Sequence, residues 1–134
     1  MTAKLNWLGI IVATVVAFFV GFLWYGVLFQ ARWMELTGVT GESDPMWMLL
    51  GLVQTFVTMV GLGWFIARDG SSGWMAGLKI GLVAGVCFAL MTSAYGFIYQ
   101  TSPMGLLPID WSHLLVVYAV GGALIGGLRM KPKA

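Results

Sequence analysis

Long uncharged stretches dominate the pattern of polar and apolar positions along the chain. Between Lys4 and Arg32 lie 27 residues without a formal charge, and between Asp44 and Arg68 there are 23. As helices, both stretches are long enough to cross a hydrocarbon core about 30 Å thick. The first is also too long for the apolar core of a cleaved signal peptide, so it is expected to remain attached.

Two further apolar stretches follow. The third begins near Trp74 and is interrupted only by Lys79, and the fourth is the 18 residues between Asp110 and Arg129, barely enough for a span. We therefore expect an all-α fold, a four-helix bundle that forms one membrane domain over residues 1–134. Its transmembrane helices are predicted at about residues 5–29, 46–67, 73–98 and 110–128.

Capping signals mark the helix boundaries. Asp44 followed by Pro45 indicates a helix start, because an aspartate can accept from the free N–H groups and proline fits the first helical position. Ser72 and Asp110 are predicted to cap the third and fourth helices in the same way. The connection before Asp44 contains residues 32–36, which are predicted to form a short amphipathic helix.

Composition supports a membrane location. Of the 134 residues 60% are hydrophobic and 9% charged, and the mean hydropathy is +0.91. A small soluble domain buries only about two thirds of the surface of its unfolded chain, so lipid must cover the remaining apolar surface. The net charge of +2 is too small and scattered for nucleic-acid binding.

The cations indicate the orientation, because Lys and Arg collect on the cytoplasmic side. With both termini cytoplasmic, Arg32 is the one cation outside. We therefore expect a multi-pass protein of the bacterial inner (plasma) membrane. The cytoplasmic segments then hold Lys4, Arg68, Lys79, Arg129, Lys131 and Lys133.

Small residues recur at every fourth position in three of the predicted helices. Such residues let helices approach closely in lipid, where burying leucine against leucine contributes little. These faces are predicted to drive helix packing and association with a second copy or a larger complex. The helix-packing residues are Gly9, Ala13, Ala17 and Gly21 in the first helix, Gly77, Gly81, Gly85 and Ala89 in the third, and Gly122 and Gly126 in the fourth.

The second helix carries a polar face instead, with Gln54, Thr55 and Thr58 on one side. Such side chains bond to neighbouring helices or line a polar path, so this face is expected at the bundle centre or at a subunit contact. Lys79 is added to this candidate lining. Its default role is to anchor at the headgroups, and the alternative is to attract anions or to pair with Asp69.

Candidate chemistry is sparse. Asp110 and His113 have a spacing that can aim two ligands at one metal ion, but an N-cap aspartate followed by a first-turn histidine is the favoured interpretation. Cys87 lies in an apolar run and indicates no redox chemistry. Because catalysis needs converging titratable groups, we expect no enzyme, no cofactor and no metal site.

A family resemblance completes the sequence evidence. The pairs Asn6-Trp7, Trp24-Tyr25 and Ile109-Asp110, with Ala13, Gly21, Phe29, Trp33 and residues 122–126, resemble the bacterial membrane family called domain of unknown function 1761. The family usually has Ser-Pro after the Trp-Tyr pair, whereas this chain has Gly26-Val27. The resemblance implies a four-helix bacterial membrane protein and no particular activity.

Two functions are consistent with these features. The first is a non-enzymatic structural or accessory subunit that associates through its glycine-rich helix faces. The alternative is a small oligomeric channel or facilitator for a small solute. The expected partners are the lipid bilayer and either further copies of the chain or a membrane complex, with no nucleic acid.

Overall fold

A computed structural model describes residues 4–40 and 44–129. Every regular element in these residues is helical, and four of the five helices are long and apolar enough to cross a membrane. The prediction of an all-α fold with four such helices is confirmed. The helices are α1 (Trp7–Leu28), α2 (Gln30–Thr37), α3 (Pro45–Asp69), α4 (Trp74–Tyr99) and α5 (Leu106–Gly127).

The first turns of α1 and α3 are capped by side chains. Asp44 accepts from the Met46 N–H at 2.9 Å with Pro45 at the first helical position, as the sequence predicts. Asn6 caps α1 by accepting from the Gly9 N–H at 3.1 Å. These side-chain oxygens satisfy donors that have no partner within the helix.

The predicted caps of α4 and α5 are wrong. Gly73, at φ 113°, holds the N-cap position of α4, so Ser72 does not cap it. Helix α5 begins at Leu106, which places Asp110 inside the helix. Pro108 is compatible with this earlier start, because the first N–H groups of a helix need no intrahelical acceptor. The helix therefore has 22 residues, enough for a span.

Helices α4 and α5 are in backbone contact. The Gly73 N–H donates to the Gly126 carbonyl at 3.0 Å, across the two helices. A Cβ added to Gly122 would overlap the carbonyl group of Gly77, and one on Gly126 would lie 2.9 Å from the Gly77 Cα. Only glycine therefore permits this separation between the two helices.

Helix α1 packs against both α3 and α5. Ile10 is fully buried and occupies the space that Gly63 leaves, since a Cβ there would lie 2.7 Å from the Ile10 Cδ1. Gly121 makes room for Met59 in the same way. Across the whole bundle, eight of the predicted packing residues are buried and two are half-buried. The buried ones are Gly9, Ala13, Ala17, Gly77, Gly81, Gly85, Gly122 and Gly126, and the half-buried ones are Gly21 and Ala89.

Two polar side chains join the helix ends at the N-terminal end of α1. The Asn6 Nδ2 donates to the Ile125 carbonyl at 2.8 Å. The Arg129 Nη1 donates to the carbonyls of Ile66 at 3.2 Å and Ser71 at 2.7 Å. Because the last carbonyls of a helix lack intrahelical partners, Arg129 satisfies the end of α3 and fixes it beside α5. Lys131 and Lys133 lie outside the described residues.

The glycine contact predicts a position-specific cost. In Gly122→Ala, the new methyl group would overlap the Gly77 carbonyl, so α4 and α5 must separate. We expect a loss of about 1–3 kcal/mol in the free energy of unfolding, measured by titrating micelles with a denaturing detergent. Gly51→Ala is the matched control, because its methyl group meets only the Phe18 ring at 3.9 Å. Equal stability of the two variants would contradict the close packing.

Candidate functional site

A π-helical turn at the end of α1 directs two consecutive aromatic side chains toward α5. Residues Trp24–Leu28 form this turn, and the Phe29 N–H donates to the Trp24 carbonyl at 2.9 Å. A π turn holds more residues than an α-turn and is frequent at functional sites. Here both Trp24 and Tyr25 reach side chains of α5. Gly26 and Val27, which follow the Trp-Tyr pair, lie inside this turn.

The two aromatic side chains hydrogen-bond to two different residues of α5. The Tyr25 hydroxyl donates to Asp110 Oδ1 at 2.5 Å. The Trp24 Nε1 donates to Ser112 Oγ at 3.0 Å. The Ser112 hydroxyl in turn donates to the Ile109 carbonyl at 3.0 Å, which fixes its lone pairs toward Trp24. Helices α1 and α5 are thus joined by a polar cluster inside their apolar segments.

His113 lies next to this cluster. Its ring meets the edge of the Tyr25 ring at 5.0 Å between centroids, and the Trp24 ring lies at 6.4 Å. Its Nε2 is buried and has no hydrogen-bond partner among residues 4–40 and 44–129. A Cβ on Gly21 would lie 3.4 Å from this nitrogen, so the glycine borders the imidazole directly.

A cleft of about 300 Å³ opens beside His113, between α1, α3 and α5. One wall is polar and contains the three polar residues of α3 that the sequence singles out, Gln54, Thr55 and Thr58. The opposite side is mainly apolar. It includes Ala17, Phe18, Phe22, Leu114 and Val117.

The threonines on this wall do not bond to neighbouring helices. The Thr55 hydroxyl donates to the Gly51 carbonyl at 2.8 Å, and the Thr58 hydroxyl donates to the Gln54 carbonyl at 2.9 Å. Both bonds lie within α3 and use the hydroxyl proton, so the oxygen lone pairs stay available. The polar face therefore lies at the rim of a cleft and not at a sealed bundle centre.

Lys79 lies apart from the polar lining with which the sequence analysis grouped it. It is exposed on α4, and it does not contact the cleft. Its suggested partner, Asp69, instead accepts from the Ser71 hydroxyl. In the part of the chain that the structure describes, the ion pair is Arg32 with Glu35 at 3.1 Å, on the surface of α2.

The structure also changes the interpretation of Asp110 and His113. Asp110 is not an N-cap, because it lies inside α5 and accepts a hydrogen bond from the Tyr25 hydroxyl. The Tyr25 ring also contacts His113, so Asp110 and His113 belong to one aromatic and polar cluster. Within residues 4–40 and 44–129 there is no group of three or more His, Cys, Asp or Glu side chains that could hold a metal ion. Cys87 is exposed on α4.

Sequence reasoning missed the bonds of Trp24 and Tyr25 to α5. These residues are 88 and 85 positions away from Ser112 and Asp110. The Trp-Tyr and Ile-Asp pairs are both among the residues that carry the family resemblance in the sequence. Pattern alone gives no distance between them, because nothing local relates the two helices.

The Tyr25–Asp110 bond predicts an energetic coupling. In a double-mutant cycle of Tyr25→Phe and Asp110→Leu, we expect a coupling of about 1 kcal/mol in the free energy of unfolding. Each single variant already removes this half-buried hydrogen bond, so the double variant does not lose it a second time. Unfolding in detergent micelles measures it. Tyr99→Phe, at an exposed tyrosine, should change stability by less than about 0.5 kcal/mol. Additive effects of the two cluster variants would exclude the bond as a stabilising contact.

Comparison with known proteins identifies a family. The family described as "Protein of unknown function (DUF1761)" matches residues 8–126, most of the chain. No curated protein and no solved structure matches the chain. The matched region contains both halves of the polar cluster and the whole lining of the cleft.

Proposed function

Since the chain belongs to the family of proteins of unknown function DUF1761, we propose a role that follows from its own architecture. We infer that it is an integral protein of a bacterial inner membrane, with four spans and both termini in the cytoplasm. Its role is non-enzymatic: it is a structural or accessory subunit that associates with a second copy of itself in the membrane.

The surface supports membrane insertion. Large apolar side chains point outward along α1, α3 and α4, including Val15, Phe19, Val57, Val83 and Ile98. A soluble monomer rarely exposes contiguous apolar patches of this extent, whereas lipid covers them without cost. Away from their ends, the four long helices pair their backbone polar groups internally, as the bilayer core requires.

The charges support the orientation. Arg129 bonds to carbonyls at the end of α3, and Asn6 bonds to a carbonyl near the end of α5, so these helix ends lie together. Lys4 and Arg68 are near the same end of the bundle, and Arg32 follows the opposite end of α1. Since cations accumulate on the cytoplasmic side, the end with Arg129 is proposed to face the cytoplasm.

Single cysteines test this orientation in a Cys87→Ser background. Thr40→Cys, in the connection after α2, should react with a membrane-impermeant maleimide in intact cells. Lys4→Cys, before α1, should react only after the membrane is opened, because the bilayer shields it. Both positions are exposed, so each serves as the accessibility control for the other. Labelling of Lys4→Cys in intact cells would reverse the proposed topology.

The polar cluster is the observation that supports the proposed non-enzymatic role. Tyr25 and Asp110 bond to each other, and Trp24 bonds to Ser112, so these side chains join α1 to α5. A reactive centre would need a nucleophile paired with a base, and an orienting group behind it. The use of these side chains as contacts between helices favours a structural role.

Association requires a face other than the glycine faces that the sequence suggests. Gly77, Gly81, Gly122 and Gly126 already contact one another inside the chain. A second groove of about 340 Å³ lies between α3 and α4, and it contains the small residues Gly61 and Ala84. A Cβ on Gly61 would meet nothing within 4 Å. We propose that a helix of a second copy packs here, because small residues permit close approach in lipid.

Cross-linking tests this contact. In the Cys87→Ser background, Val57→Cys, which lines the second groove, should form a disulfide-linked dimer in oxidised membranes. Val15→Cys on α1 is the matched control, because Val15 and Val57 are 61% and 63% exposed. Adding Gly61→Phe to Val57→Cys should lower the dimer yield several-fold by filling the groove. Equal cross-linking at both valines would exclude a specific contact.

A facilitator for a small solute is the alternative, and one observation favours it. Gln54, Thr55 and Thr58 share one wall of the cleft between α1, α3 and α5. These polar groups could replace water around a solute that enters the bilayer core. In proteoliposomes a facilitator passes its solute, whereas an accessory subunit does not.

A further inference from the structure

The cleft between α1, α3 and α5 has the features of a binding site, independent of any transport. Its volume is about 300 Å³, and it has one polar and one apolar side. We propose that it binds a small, uncharged amphiphile from the membrane, an aliphatic molecule with one hydroxyl group. The proposal rests on the proposed insertion of the chain into the membrane and on no assumption about its partners.

The charge of the lining selects an uncharged ligand. Among the described residues, the side chains that line the cleft include no Asp, Glu, Lys or Arg. A charged group in this position would lose its water without gaining an opposite charge, which is strongly unfavourable. An uncharged hydroxyl has a much smaller desolvation cost, which a single hydrogen bond can offset.

The polar wall supplies both kinds of hydrogen-bonding group. The Gln54 amide can donate and accept. The hydroxyls of Thr55 and Thr58 donate to carbonyls of α3 and therefore offer acceptor lone pairs to the cleft. A hydroxyl group, which donates one hydrogen bond and accepts others, matches this combination better than a group that only accepts.

His113 marks the end of the cleft that is deepest in the polar cluster. Its buried Nε2 has no hydrogen-bond partner within the described part of the chain, and it faces Gly21, where a Cβ would lie 3.4 Å away. Both residues line the cleft. An unpaired buried nitrogen is unfavourable, so a ligand hydroxyl that reaches it provides a contact that the protein itself does not make.

The size and the apolar side select the rest of the ligand. A space of 300 Å³ would hold roughly ten water molecules at ~30 Å³ each, which is at the lower end of ligand pockets. Phe18, Phe22, Met48 and Leu114 offer hydrocarbon contacts to a chain or ring. A medium-length alcohol satisfies both sides of the cleft, whereas water leaves the apolar side without contacts.

Photolabelling of the full chain in lipid nanodiscs tests this proposal. The probe is octanol with a photoreactive diazirine in its chain. We expect saturable labelling of cleft residues such as Met48 and Leu114, with competition by unlabelled octanol. The matched probes are diazirine-bearing octane, which lacks the hydroxyl, and diazirine-bearing octylammonium, which is charged. Both should label the cleft at least several-fold less than the alcohol.

Two variants and one control assign the effect to the cleft. Gln54→Leu removes a hydrogen-bonding group. It should raise the probe concentration at half-saturation about 3–10-fold, which is the effect of losing one hydrogen bond. Gly21→Val places methyl groups beside His113 and should abolish saturable labelling. Gln100→Leu, an exposed glutamine after α4, should leave it unchanged. Because the Gln54 side chain is exposed, its variant tests the site even where Gly21→Val does not fold.

Three results would overturn the proposal. Labelling that does not saturate would show ordinary lipid-facing surface. Equal labelling by the octane probe would show a groove for any hydrocarbon chain. An equal probe concentration at half-saturation for Gln54→Leu and Gln100→Leu would show that the polar wall does not contribute to binding. A failure of membrane insertion is detected separately, by the labelling pattern of Thr40→Cys and Lys4→Cys.

Discussion

The backbone contact between α4 and α5 is the constraint on which the rest of the bundle depends. Gly77, Gly122 and Gly126 leave no room for a Cβ, and a hydrogen bond joins the backbones at Gly73 and Gly126. In lipid, apolar side chains gain little by leaving one neighbour for another, so van der Waals contact at short range decides which helices pair. This pair then offers a fixed surface to α1 and α3.

Helix α1 is fixed to that surface at both of its ends. Asn6 bonds to the Ile125 carbonyl at one end, and at the other the π turn lets both Trp24 and Tyr25 bond to α5. Helix α3 is less enclosed: Gln54 is exposed, and clefts of about 300 and 340 Å³ lie along it. The proposed ligand site and the proposed dimer contact both involve α3, which is the least buried of the four long helices.

The sequence also shows where prediction from pattern ends. Asp44 was a reliable boundary because Pro45 follows it, and the two signals are local and independent. Asp110 was not a reliable boundary, because its prediction as an N-cap assumed that a charged residue ends an apolar helix. In the fold, Tyr25 of another helix accompanies the carboxyl group, so the helix can continue past it. The partner that makes this possible is 85 positions away in the chain.

The sequence by itself determined the all-α class, the four long apolar helices and the small residues at their contacts, because hydropathy and residue size act locally along a helix. Only the tertiary structure decided what each face meets. In the structure, Gly77 and Gly122 contact each other within one chain. Gln54 lies at the rim of a cleft, and the unpaired Nε2 of His113 lies beside Gly21. The physical reason is that helix pairing depends on the relative rotation and depth of the helices, and periodicity within one helix contains no information about either.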